Sequence, residues 1–210
     1  MVGVNGGPDD GRPSAAERLE QTRVRLLDAV IESLAQVGYA ATSTTEVARR
    51  SGLTRGAQLH HFGTKDQMMI AAAEHLNAGT NTAEIVAALD ENVDEAHRVR
   101  SALALLAEIA SGPQPTAYVE LWVASRTNPE LADVLREGDV IARESVRALF
   151  GTKILAKAGP GFDALLDTTM YAVRGMALDA HIATGDDRQS RRDLITGLEK
   201  YLDRALEAGN

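Results

Sequence analysis

Between Thr54 and Lys65 the chain brings together short, hydrogen-bonding and basic side chains: Thr54, Arg55, Gln58, His60, His61 and Lys65, with the small Gly56 and Ala57 among them. On the first turn of an exposed helix, Thr54, Arg55, Ala57 and Gln58 can reach the edges of nucleic-acid bases, and glutamine pairs bidentately with adenine N6 and N7. That chemistry is recognition, not bond making. The 210 residues contain no cysteine, which removes thiolate zinc sites, iron–sulfur clusters, disulfides and cysteine nucleophiles. His60 and His61 are adjacent and point ~100° apart on a helix, so they do not readily chelate one ion. Asp179 and His181 are two apart and do not share a helix face. No paired-carboxylate site, phosphate loop or nucleophile elbow is present either. We expect no catalytic residue, no metal and no cofactor; the alternative is an all-α enzyme working in a C-terminal cavity.

A second set lies further along. Tyr118 and Trp122 are four residues apart and therefore share a helix face, with Arg126 one turn on. Met170, Tyr171 and Arg174 fall in the apolar run MYAVRGMAL. Each apolar member is by itself a core residue. As a set, aromatics, a methionine and one cation suit a mostly apolar small molecule with an anionic or strongly polar end. A buried arginine needs an acidic partner, here Glu120, Asp179 or the ligand itself.

The elements that must position these residues are helical throughout. Residues 1–13 are rich in Gly, Pro and Asp and read as a disordered leader without the basic and apolar regions of a signal peptide. Ser14 and Glu17 have capping-box spacing and open a helix whose stripe is Leu19, Arg23, Leu27, Val30, Ile31, Leu34 and Val37; Gly38 ends it. Ser43 and Glu46 open a second helix over 44–51, Gly52 breaks it, and Thr54 caps a third through His61. Thr64 caps a fourth from Lys65 to Leu76. Longer helices are expected at 82–91, 94–111, 115–127, 129–150, 161–184 and 187–208, separated by Gly and Pro punctuation. No segment alternates with period two. The fold class is all-α: a three-helix helix-turn-helix unit over 14–79 and a larger helical ligand-binding and dimerisation bundle over 80–210.

Charge is distributed to match. The whole chain carries 30 acidic and 22 basic residues. Thr42–Lys65 nevertheless holds four basic residues (Arg49, Arg50, Arg55, Lys65) against Glu46 alone, while from Thr82 onward 14 Lys and Arg face 21 Asp and Glu. A polyanion would meet one end only. No apolar run approaches the ~20 residues of a membrane span, so no membrane partner and a cytoplasmic location are expected.

The 44–61 pattern has the parts of a helix-turn-helix: Ala48 where two helices cross, Gly52 in the turn, Leu53 as the anchor after it. With Gly38-Tyr39, Thr42, Val47-Ala48, Ser51-Gly52-Leu53-Thr54, His60-His61-Phe62 and Thr64-Lys65-Asp66 in fixed register, the chain resembles the TetR family of transcriptional regulators. Gln58-Leu59 stand where members usually read Leu-Tyr. The resemblance implies a repressor bound to a palindromic double-stranded DNA operator and released by a small-molecule effector. It implies DNA contacts from Thr42, Thr44, Thr54, Arg55, Gly56, Ala57, Gln58, His60, His61 and Lys65. It also implies a homodimer built from the last two helices, where Leu165, Leu194, Leu198, Tyr201 and Leu202 form the apolar face. Arg49-Arg50 are as readily a solvated face as a phosphate contact. Lys65 opposes the dipole at its helix start, which an arriving phosphate would explain. Arg55→Ala and Gln58→Ala are each expected to relax base preference by about 1–3 kcal/mol at one operator position, measured by competition between duplexes differing at single base pairs.

Overall fold

A computed structural model describes residues 14–54, 56, 61–79, 99–105, 112–158 and 161–182, with isolated positions 193, 196, 197, 199, 200 and 204. Among these the regular structure is entirely helical. The first helix, α1 (Ala15–Ala41), begins with the expected capping box: the Ser14 hydroxyl accepts from the Glu17 amide, and the Glu17 carboxylate accepts from the Ser14 amide. Leu26, Leu27, Val30, Ile31 and Leu34 form its buried stripe, whereas Leu19 and Val37 are exposed. Gly38 does interrupt the helix, with φ 78° and ψ 172°, a region essentially reserved for glycine. It does not end it, because the Thr42 amide closes one more turn on the Gly38 carbonyl.

Next come α2 (Thr44–Ser51) and α3 (Lys65–Ala78); of the expected third helix between them, 56, 61 and 62 are described and helical, and the rest lies outside the described residues. The Ser43 hydroxyl accepts from the Glu46 amide, but the Glu46 side chain turns forward to two arginines, so only half of the expected second capping box forms. Thr64 and Gln67 make the complete box at the start of α3.

Beyond these come α4 (Pro113–Ala124), a 3-10 turn (Ser125–Thr127), α5 (Pro129–Ala158) and α6 (Gly161–Ile182). Gly151 was expected to end α5 but lies inside it. Interior glycine costs only ~1 kcal/mol against alanine, which by itself does not stop a helix. The expected 82–91 helix and nearly all of 187–208 lie outside the described residues; 99–105 is helical.

One apolar cluster joins these helices. Leu26, Leu27, Leu34, Met68 and Met69 pack with Leu121 of α4 and Leu131 and Leu135 of α5, all essentially inaccessible. The expected boundary at 79–80 therefore divides the sequence but not the core. Polar contacts supplement it. Asn77 donates to the Val134 carbonyl at 2.9 Å, and Tyr118 donates to the Leu135 carbonyl at 2.8 Å. A Cβ at Gly138 would collide with both Asn77 and Tyr118, so glycine is what lets α3 and α4 approach α5 there.

Where α1 bends, α4 reaches it: the Glu120 carboxylate accepts the Tyr39 amide at 2.7 Å and lies against Gly38. The kink frees that amide from the helix, and the carboxylate satisfies it. Glu120→Ala is expected to cost about 1–3 kcal/mol in denaturant unfolding, and Glu120→Gln less, since the amide oxygen keeps an acceptor there.

Candidate functional site

The helix-turn-helix forms as its parts demand. Val47 and Ala48 turn inward from α2, Gly52 closes the helix in the left-handed region (φ 68°, ψ 17°), and Leu53 packs on the core. No neighbour lies within 4 Å of a Cβ built at Gly52, so its requirement is conformational rather than steric. Thr54 and Gly56 are exposed beyond the turn, and Thr44 and His61 are half-buried. Buried Phe62 and Gly63 (φ 68°) then lead into α3. Arg55, Ala57, Gln58 and His60 lie outside the described residues.

Two of the residues expected at this surface are engaged inside the protein. Thr42 is fully buried: its hydroxyl donates to the Gly38 carbonyl at 2.8 Å and lies 3.0 Å from the Ser33 hydroxyl. It fixes the corner between α1 and α2 and has no surface to offer a ligand. Lys65 was expected to need a phosphate at its helix start. Its ammonium instead donates to the carbonyls of Tyr39 (2.7 Å) and Ala40 (3.3 Å) and lies 4.6 Å from the centre of the Tyr39 ring. Partial burial lowers its pKa, and nearby Asp66 opposes that shift. The carbonyls offset the opposed dipole, and one N–H remains for another acceptor.

Glu46 decides the fate of Arg49 and Arg50. It is ion-paired to both, at 2.6 Å each, and Arg50 also donates to the Gln36 side chain at 2.7 Å. The spacing of three and four residues made this clamp visible in the sequence; the extra partner on α1 did not announce itself.

The second set assembles in part. Tyr118 and Trp122 on α4 meet Arg174 on α6, whose guanidinium lies 4.7 Å from the Trp122 ring centre and 5.9 Å from that of Tyr171. Met170 is half-buried on the same helix, and Arg126 is exposed on the turn after α4. The partner of Arg174 is neither Glu120 nor Asp179 but Asp139 of α5. Glu120 is held by Tyr39, and Asp179 is exposed. Asp139 is 35 residues away in sequence, so no local pattern could have named it. It also lies 3.3 Å from the Tyr118 hydroxyl. Burial, and then the Asp139 charge, push the Tyr118 pKa up and keep the phenol protonated. The Leu165 side chain and Leu194, Leu198, Tyr201 and Leu202 lie outside the described residues. Among those described, no three His, Asp or Glu side chains converge as metal ligands, and no helix is long and apolar enough to cross a membrane.

Residues 26–72 match the family model for bacterial regulatory proteins of the TetR family. An uncharacterized HTH-type transcriptional regulator of Mycobacterium tuberculosis is 31% identical over 162 residues, covering 75% of this chain and 77% of that one. The chain belongs to the TetR family. Two solved structures extend the comparison. The crystal structure of a Rhodococcus TetR-family regulator has a TM-score of 0.66 at 17% identity, over 87% of this chain and 98% of that one, and speaks to the fold alone. A multidrug binding protein, EbrR, in complex with ethidium has a TM-score of 0.55 at 26% identity, over 85% and 98% of the two chains.

In this TetR-family regulator the α2 clamp has a pH signature. Hydrogen bonding from Arg49, joined by Arg50, holds the Glu46 carboxyl down from the ordinary 4.5 to about 2. A carboxylate depressed by folding stabilises the folded state above its unfolded pKa and loses that contribution as pH falls through the folded one. The difference in unfolding midpoint between the natural chain and Glu46→Gln is expected to be constant at neutral pH, to shrink from pH 4.5 downward, and to vanish near pH 2.

Proposed function

We propose that the protein is a homodimeric, cytoplasmic transcriptional repressor that leaves a palindromic operator when a small molecule binds its C-terminal part. The observation that carries this reading is the Glu120–Tyr39 contact, because it hydrogen-bonds α4, the helix of Tyr118 and Trp122, directly to the corner from which the helix-turn-helix is hung. A ligand that prefers one placement of α4 biases that corner, and a coupling of ~1–3 kcal/mol suffices to change operator occupancy.

In this reading residues 14–79 read DNA and 80–210 bind the effector and the second subunit. Thr44, Thr54, Arg55, Gly56, Ala57, Gln58, His60 and His61 face the duplex, with the spare N–H of Lys65 at its edge. Two half-sites lie about one helical turn (~34–36 Å) or a multiple apart. Leu165, Leu194, Leu198, Tyr201 and Leu202 form the dimer face within 161–208. The effector has a mostly apolar body set against Tyr118, Trp122, Met170 and Tyr171; that EbrR binds a planar aromatic molecule supports a ligand of this kind. The enzyme alternative gains nothing from the described residues, whose ionisable clusters are ion-paired with one another.

Selection of the full-length protein on a random duplex pool is expected to return a palindromic site, and sedimentation at micromolar concentration a dimer. Recovery of no preferred sequence would overturn the repressor reading; a folded monomer would overturn the dimer.

A further inference from the structure

Among the described residues three ion pairs cross between α5 and α6, and the last differs from the other two. Arg147–Asp163 and Arg143–Asp167 place arginine on α5 and aspartate on α6. At Asp139–Arg174 the polarity is reversed. The first two pairs have side chains 36–64% exposed, whereas Arg174 and Asp139 are 16% and 27% exposed. The same guanidinium lies over the rings of both Trp122 and Tyr171. Ring faces carry the negative end of the aromatic quadrupole, so two rings and a carboxylate make a box whose walls all favour positive charge. Arg174 is the cation that fills it. The two rings remain 41% and 59% exposed, which leaves the box open on the ring side.

We propose that this box is a binding site for an organic cation of the quaternary ammonium or phosphonium class, with Arg174 as the resident occupant that swings aside when the ligand enters. The proposal rests on the ligand-responsive reading above and fixes the charge of the ligand. An incoming anion would have to break the Arg174–Asp139 pair, face two negative ring faces and leave Asp139 without its counter-ion. An incoming cation takes over the same three partners. Arg174 has a long stem and five N–H donors to return to water, whereas a quaternary cation has none to leave unpaired. The arginine that in the sequence suggested an anionic ligand is, in the fold, already neutralised.

Trp122 is the only tryptophan, so its emission reports the box in the full-length protein. Titration with tetramethylammonium, tetraethylammonium and tetraphenylphosphonium is expected to give a saturable change with at least one of them. Tetraphenylborate, of nearly the same shape as the phosphonium and opposite charge, should give none. Arg174→Met should tighten the cation about tenfold by removing the resident competitor, and Asp139→Asn should weaken it more than tenfold. Tyr171→Leu, at an exposed position, should weaken it about tenfold and decides the matter if Arg174→Met fails to fold. The proposal is overturned if no cation saturates, if the borate matches the phosphonium, or if folded Arg174→Met or Tyr171→Leu goes against the expected direction. These titrations contain no DNA, so their failure would touch only the ligand class. Failure of duplex selection would touch only the regulator reading.

Discussion

Two charged side chains grip one short stretch of backbone, and the DNA-reading end of the molecule is aligned by that grip. The Glu120 carboxylate accepts the Tyr39 amide, while the Lys65 ammonium donates to the Tyr39 and Ala40 carbonyls. Glu120 arrives from α4, Lys65 from the start of α3, and the segment they hold is the end of α1. The positive φ of Gly38 frees the Tyr39 amide from the α1 ladder, and the end of the helix at Ala41 leaves the Tyr39 and Ala40 carbonyls without helical donors, so all three are open to side chains. Thr42 then closes the corner with its buried hydroxyl, and α2 departs from it in a fixed direction. The orientation of the helix-turn-helix is thus a consequence of how one glycine is satisfied.

A second set of polar contacts lies further into the body of the protein, on the same helices. Tyr118, one helical turn before Trp122 on α4, bonds the Leu135 carbonyl and approaches Asp139, and Asp139 holds Arg174 of α6 beneath Trp122. The end of α3 joins the same region through Asn77 and Val134. Gly138 sits among these contacts and admits them. Packed helices linked this way move in discrete steps rather than by continuous deformation, since the core beneath them is close-packed. Glu120 and Trp122 share α4, and Lys65 and Asn77 share α3, so each helix makes contacts both at the corner and in this region.

Electrostatics sharpens the picture. The locally basic stretch from Thr42 to Lys65 carries less free charge than its composition suggests, because Glu46 neutralises part of the Arg49–Arg50 pair and Lys65 is turned to backbone carbonyls. Affinity drawn from phosphate neutralisation grows with the number of phosphates contacted, so fewer free cations supply less of it.

The sequence by itself determined the parts whose cause is local. Capping residues three apart, the small residue at a helix crossing and the glycine in the turn act within one or two helical turns, so the helix-turn-helix and the starts of α1, α2 and α3 were legible. The Glu46 clamp has i,i+3 and i,i+4 spacing, but the same glutamate also suited a capping box, and the structure chose between them. Only the tertiary structure decided the rest. Thr42 looked like a surface residue because burial depends on Ser33 and the α1 bend meeting around it. Lys65 looked like a cation wholly free for phosphate because the carbonyls that take two of its donors lie 25 and 26 residues away. Gly151 looked like a stop because glycine often punctuates helices, yet its cost of ~1 kcal/mol is small beside a 30-residue helix. Arg174 needed an acid, and chemistry could say so; which acid was a matter of how α5 and α6 lie side by side, and spacing along a chain cannot encode the distance between two helices.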